Sequence, residues 1–169
     1  MSVETEFDLG SLTWVKGELD NALEAARTAL ADWNGEDSNP LKAAAAHLHQ
    51  VYGALQIVDL QGVSQVANET ERLLTEMAVR ADIRNAESCE IARSAIAALR
   101  SYLDELMAGG PHAELKLAAT YRAVMTRRGA EEPAPSELFY PDTGVRAPRE
   151  APEMSLDDET RNRALRNAR

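Results

Sequence analysis

The sequence predicts an all-α protein: an antiparallel up-down helical bundle with an extra C-terminal helix and a proline-rich strap. Three observations lead to this prediction. Aromatic residues make up only 5% of the 169 residues, while alanine, leucine, glutamate and arginine, which favour helices, are frequent. Apolar residues recur at intervals of three and four, as they do along one face of a helix. The joins between these stretches are short, so consecutive helices should lie antiparallel.

The first two helices are separated by a turn. The first is predicted over about 12–34, and the turn that follows, 34–40, is rich in asparagine, aspartate and glycine. Pro40 suits the first position of a helix, so the second helix begins there and runs to about Leu60. The apolar face of this second helix is formed by Leu48, Val51, Leu55 and Val58.

Three further helices are predicted after Gly62. The third has an apolar face that runs from Val63 to Met77, and the fourth follows Asn85 and ends at the strong stop Gly109-Gly110-Pro111. The fifth is predicted over about 113–128, and its terminal arginines complement the negative end of the helix dipole.

The sequence divides into three parts. Residues 8–129 are expected to form the bundle. Five of the seven prolines fall in the stretch that follows, so 130–154 is predicted to be a strap or linker without regular structure. Its apolar segment 138–141 (Leu-Phe-Tyr-Pro) is expected to dock on the bundle rather than on another protein. Residues 155–169 resemble a capping box and the start of a following helix that is cut short.

Charge and composition exclude several classes of function. Lysine and arginine total 18 and aspartate and glutamate total 28, so the net charge is −10 and a nucleic acid is not expected as a partner. No stretch approaches the roughly 20 apolar residues of a membrane span. The single Cys89 cannot form an internal disulfide and no signal sequence precedes the acidic N-terminus, so a cytoplasmic location is expected.

Motifs of catalysis and metal binding are missing from the sequence. His47 and His49 are separated by about 200° on a helix and cannot chelate one metal ion from one face, and His112 is remote from them in sequence. The sequence contains no glycine-rich phosphate loop and no nucleophile elbow. No catalytic residue, metal site or cofactor is therefore predicted.

His49 is nevertheless placed unlike the other histidines. The apolar face of the second helix centres about 140° from His49 but only about 60° from His47, so His49 should face water and His47 should border the core. Gly53, four residues further on, shares the exposed side, although a glycine there costs about 1 kcal/mol relative to alanine. It leaves the imidazole uncovered, as a histidine that meets an incoming phosphoryl group requires. The alternative is an ordinary surface histidine.

Three blocks of the sequence resemble a known family. They are 8–18 (DLGSLTWVKGE), 48–58 (LHQVYGALQIV) and 137–142 (ELFYPD). The middle block is similar to the His-x-x-Lys-Gly helix of histidine phosphotransfer (Hpt) domains. Together the blocks resemble the N-terminal Hpt-like domain of the ChpA/PilL-type chemotaxis hybrid sensor histidine kinases, which regulate type IV pili and twitching motility, and their stand-alone relative FimL. In that family the chain continues into further Hpt domains, a kinase core and a receiver.

The resemblance implies a site and partners. His49 is the candidate phosphoacceptor, and Gln50, Tyr52, Gly53 and Gln56 are the candidate docking surface for response-regulator receiver domains or polar scaffold proteins. Tyr52 departs from the pattern, because working domains usually have lysine there to neutralise the phosphoryl group. Two roles therefore stay open within the phosphorelay: phosphotransfer at His49, or docking by a degenerate domain. The rival is a structural dimerisation module that uses an exposed apolar helix face.

Overall fold

A computed structural model describes residues 9–131 and 133–138 of the chain. All regular secondary structure in this part is helical and it contains no strand, which confirms the predicted all-α fold. None of its helices is long and apolar enough to cross a bilayer. The α-helices are α1 (Leu9–Ala31), α2 (Asn39–Ile57), α3 (Gln61–Val79), α4 (Ala86–Met107) and α5 (Ala118–Arg127). Two 3₁₀ turns, Glu114–Leu117 and Pro135–Leu138, flank α5.

The first four helices form a closed bundle. Helix α1 packs against α2 and α4, and α3 packs against the same two helices, so α1 and α3 lie diagonally across the bundle, as do α2 and α4. Short joins make the neighbours antiparallel. Helix α5 lies outside this ring, where it packs on α3 and α4.

The centre of the bundle is filled by leucines on the predicted apolar faces. Leu12, Leu48, Leu55 and Leu99 are all fully buried, which confirms the helical phase assigned to each of the elements on which they lie. Burial of such side chains is the main favourable contribution to folding, at about 1.5–3 kcal/mol each.

Polar side chains terminate the helices. The side chain of Asn85 accepts a hydrogen bond from the backbone N–H of Ser88 at 3.0 Å and caps the start of α4. Arg84 donates to two carbonyl oxygens in the last turn of α3. Arg93 donates to the carbonyl oxygen of Leu30 at 2.7 Å and so ties the end of α1 to α4. These contacts satisfy backbone groups that a helix end leaves without partners.

Several predicted helix boundaries are wrong: α1 begins at Leu9 rather than at about 12, and α2 ends at Ile57 rather than at about Leu60. Helix α1 ends at Ala31 rather than at 34, because the Asn34 side chain accepts hydrogen bonds from the backbone N–H groups of Glu36 and Asp37 and favours a turn. The single helix predicted over 113–128 is a 3₁₀ turn followed by α5.

The start of α3 explains that 3₁₀ turn. The Glu114 carboxylate accepts a hydrogen bond from the backbone N–H of Gly62 at 2.8 Å, at the N-terminus of α3. A negative charge there is favourable because the helix dipole is positive at this end. The tighter turn holds Glu114 at this position while Leu117, three residues later, is buried in the core.

The proline-rich stretch begins with a docked turn. Leu138 is fully buried, which confirms the predicted packing for this residue, while Phe139, Tyr140 and the segment 155–169 lie outside the described residues. The prediction that this stretch has no regular structure is wrong for Pro135–Leu138, because proline is well suited to the first position of a helical turn.

A partly buried network of ion pairs connects the end of α5 to α3. Arg128, which follows α5, forms ion pairs with Glu69 and with Glu76, the latter at 2.7 Å. Glu69 is a buried carboxylate, so it needs cationic partners, and its second one is Arg72 at 3.5 Å. Burial lowers the pKa of Arg128, but a guanidinium remains protonated at neutral pH.

Candidate functional site

His49 lies near the middle of α2 and faces solvent. Its side chain is 71% exposed, whereas His47 is half-buried, so both orientations agree with the predicted helical phase. The side chain points to the α3 side of α2, away from α1, because its contact is with an α3 residue.

That contact is with Glu71. The Nδ1 atom of His49 lies 3.2 Å from Oε1 of Glu71, whose side chain is only 22% exposed. An ionised carboxylate can only accept a hydrogen bond, so this contact requires the imidazole proton on Nδ1. The lone pair of the neutral ring is then on Nε2, and the ring orientation is fixed by a residue on the neighbouring helix. Such an imidazole is oriented for nucleophilic attack through Nε2.

Glu71 was not among the residues identified from the sequence, although a signal for it exists. Antiparallel α2 and α3 meet at Leu60, and Gln56 and Ser64, four residues on either side of it, are hydrogen-bonded. His49 and Glu71 each lie eleven residues from Leu60, so the same register pairs them. This pairing could have been derived from the predicted hairpin.

Tyr52 lies beside the imidazole. Its ring centroid is 6.4 Å from that of His49, with 40° between the ring planes, and the residue is half-buried. Tyr52 therefore covers one flank of the histidine but brings no charge. The exposed cation on the same face of α2 is Lys42, two turns towards the N-terminus and so about 10 Å along the axis.

The other predicted docking residues are exposed but differ in their contacts. Gly53 has open space around it, because a Cβ placed there would meet no atom within 4 Å. Gln50 is exposed on the same helix. Gln56 is also exposed, but its side-chain amide donates to Ser64 Oγ at 2.7 Å, so it helps to hold α2 against α3. These α2 residues therefore bring no charge to the imidazole, and its charged neighbour is Glu71 of α3.

The remaining titratable side chains of the described segments form no second site there. No group of three or more histidine, cysteine, aspartate and glutamate residues in 9–131 and 133–138 could hold a metal ion. His112 lies 3.5 Å from Glu114, far along the chain from α2. Cys89 is buried, and this burial raises the pKa of its thiol, as in an unreactive core cysteine.

A comparison with protein families identifies the family of the four-helix bundle. Residues 11–109 match the family described as Hpt domain, which is more than half of the chain. The chain belongs to the Hpt domain family. No match is found among curated proteins, and none among solved structures.

The Hpt match covers the four-helix bundle and the candidate site. It begins within α1 and ends just after α4, so it includes both His49 and Glu71, while α5 and the docked turn at Leu138 follow it. Hpt domains are phosphotransfer modules of two-component signalling that interact with response regulators and kinases, and they are generally not catalytic enzymes.

Proposed function

We propose that His49 is the phosphoacceptor of this Hpt domain and that it exchanges a phosphoryl group with the aspartyl phosphate of a receiver domain. The observation that carries this proposal is the contact between His49 Nδ1 and the Glu71 carboxylate. An ordinary surface histidine has no need of a partner that fixes its tautomer. Open space at Gly53 supports the same assignment, because an incoming receiver must approach Nε2 without obstruction.

The geometry supports direct transfer. The Nε2 lone pair attacks the phosphorus of the acyl phosphate in line, the N–P bond forms, and the P–O bond to the aspartate breaks, which releases the aspartate as a carboxylate. The imidazole keeps its Nδ1 proton and becomes positively charged as the bond forms. Glu71 stabilises that charge because it accepts the Nδ1–H hydrogen bond throughout.

Tyr52 sets the stability of the product. A phosphoryl group adds roughly −1.5 to −2 charges to a domain that already carries −10, and Tyr52 offers only a hydroxyl where a lysine would neutralise them. Phosphohistidine is therefore expected to pass its phosphoryl group on readily rather than to accumulate.

The wider context proposed is a chemotaxis-type signalling system that regulates type IV pili. Its support is the resemblance of blocks 8–18, 48–58 and 137–142 to the N-terminal domain of ChpA/PilL-type hybrid kinases. In that setting the domain works in the cytoplasm, where receivers are found. The partners are receivers of that system, with polar scaffold proteins as further candidates.

The decisive experiment is transfer from a labelled receiver. The chain is incubated with a receiver phosphorylated on aspartate, and label on the chain is followed by gel autoradiography. His49→Gln should abolish labelling, and Glu71→Ala should slow it by roughly ten- to a hundredfold because the ring orientation is lost. His47→Gln is the matched control: it lies two residues away on the same helix and should label normally. Full labelling of His49→Gln would refute the assignment.

The second candidate function is docking without phosphotransfer, and Tyr52 favours it. A degenerate domain would bind receivers but would not label, and Tyr52→Lys should then restore labelling because it supplies the missing cation. Gly53→Arg should weaken receiver binding under both functions, since a long side chain one turn beyond His49 lies across the imidazole. A chain that self-associates tightly and ignores receivers would instead support the structural dimerisation module.

A further inference from the structure

The outward face of α1 carries the most exposed large apolar side chain of residues 9–131 and 133–138. Trp14 is 88% exposed and lies on the side of α1 opposite to the buried leucines. Gly10, Trp14, Gly17 and Asn21 follow each other at steps of four, three and four and are all exposed. They form one straight row along the outside of the helix, which we call the α1 outer stripe.

Gly17 is not required by the fold of a single copy. A Cβ at this position would meet no atom within 4 Å, and its backbone is helical, so alanine would fit without strain. A glycine inside a helix costs about 1 kcal/mol relative to alanine. A destabilising residue therefore lies directly beside the exposed indole of Trp14. On the surface of α1, Gly17 leaves a hollow and Trp14 forms a protrusion next to it.

We infer that the α1 outer stripe is an interface between two copies of this chain. If two α1 helices pack antiparallel about a twofold axis between residues 15 and 16, each residue pairs with the one whose number completes a sum of 31. Trp14 of each copy then lies over Gly17 of the other, and Gly10 lies opposite Asn21. The protrusion of each copy thus fills the hollow of its partner, which is the self-complementarity that a twofold interface requires.

The charge pattern along α1 is compatible with this register. The chain carries −10, so two copies repel each other unless the contact surface lacks facing acids. In this register Glu18 falls opposite Thr13 of the other copy and Asp20 falls opposite Ser11, and the stripe itself is uncharged. Among residues 9–22, which pair with one another in this register, no carboxylate therefore falls opposite another.

The area involved indicates a weak, reversible dimer. One tryptophan buries roughly 150–250 Å², so the two indoles supply about 300–500 Å² of the 1,200–2,000 Å² of a typical stable interface. The remaining buried area must come from other contacts along α1, which at 23 residues is about 34 Å long. His49 faces α3 on the neighbouring helix, so both Hpt sites remain accessible in the dimer.

Sedimentation equilibrium of the full chain from about 5 µM to about 1 mM tests this inference. We expect a concentration-dependent monomer–dimer equilibrium in the native chain. Trp14→Ala should weaken it at least about tenfold, as for a central aromatic anchor. Gly17→Gln should raise the melting temperature, because it replaces a helical glycine, and yet weaken the dimer, because it fills the hollow.

Gly53→Gln is the matched control, since Gly53 is also a helical glycine in open space but lies on α2. It should raise the melting temperature similarly and leave the dimer unchanged. A native chain that stays monomeric at about 1 mM would overturn the inference, as would dimerisation unaffected by Trp14→Ala and Gly17→Gln. Loss of receiver binding in Trp14→Ala without any self-association would also overturn it, and would assign the stripe to receiver docking.

Discussion

At the scale of single residues, the exposed and buried sides of α2 divide function from stability. Leu55 is fully buried, whereas Ile57, two residues later, is 81% exposed. Leu55→Ala should lower the free energy of unfolding by about 2–5 kcal/mol, the range for a buried leucine that leaves a cavity. Urea denaturation monitored by circular dichroism measures this change in the free energy of unfolding. Ile57→Ala is the control and should change it by less than about 0.5 kcal/mol; a similar loss in both variants would contradict the helical phase.

The position of His49 could be derived from the sequence, but its partner was not. Helical phase depends only on the local spacing of apolar residues, so α2 itself predicts that His49 faces water and His47 borders the core. Glu71 is a different case, because its role depends on the register between two helices. Gln56–Ser64 and His49–Glu71 show that this register is regular about Leu60. The hairpin as a whole therefore predicts the His49–Glu71 pair, whereas the periodicity of apolar residues along one helix does not.

At the scale of secondary-structure elements, the N-terminus of α3 packs closely against the two 3₁₀ turns that flank α5. A Cβ at Gly62 would lie 2.3 Å from the carbonyl oxygen of Leu138 and 2.6 Å from Oε2 of Glu114. The Glu114 side chain could move, but the Leu138 carbonyl is backbone. The docked turn after α5 therefore requires a residue without a side chain at this position.

Gly62→Ala should accordingly destabilise the chain by about 1–3 kcal/mol, as overpacking of a closely packed site does. The measurement is thermal or urea unfolding. Gly53→Ala provides the comparison, because its surroundings are open and the same substitution should stabilise α2 by up to about 1 kcal/mol. If both substitutions stabilise the protein, the turn at Leu138 does not pack on α3.

A second contact between elements makes stability depend on pH. The pKa of Glu24 on α1 is lowered to about 2 by hydrogen bonds from Arg27 on the same helix and from Arg100 on α4. Because its folded pKa lies below the unfolded value of 4.5, Glu24 contributes stability above pH 4.5 and loses that contribution as pH falls towards 2.

Glu24→Gln should therefore reduce the loss of stability between pH 4.5 and pH 2, as followed by the melting temperature at each pH. Glu18→Gln removes a carboxylate from the same helix without removing this link to α4, and it serves as the control. The pH profile of Glu24→Gln should be the shallower of the two. Identical profiles would show that the arginines do not hold the Glu24 carboxylate in solution.

At the scale of the whole molecule, the folded unit is larger than the family match. The match ends at 109, but Tyr121, Val124 and Leu138 are buried in the same core as the bundle. The sequence predicted a fifth helix and a docked strap, but not the ion pair between Glu69 and Arg128, which are 59 residues apart. Ion pairs across such a separation follow from the tertiary packing of α5 on α3, and no local sequence pattern predicts them.

Removal of everything after Gly110 should therefore destabilise the four-helix bundle. It removes four buried apolar side chains from the core, Leu117, Tyr121, Val124 and Leu138, and burial of such a side chain contributes about 1.5–3 kcal/mol. It also removes Arg128, although Glu69 keeps Arg72 as an ion-pair partner at 3.5 Å. A fragment of residues 1–110 should lose at least about 3 kcal/mol of unfolding free energy relative to the full chain, measured in urea. A fragment as stable as the full chain would mean that α5 and the docked turn add nothing to the fold.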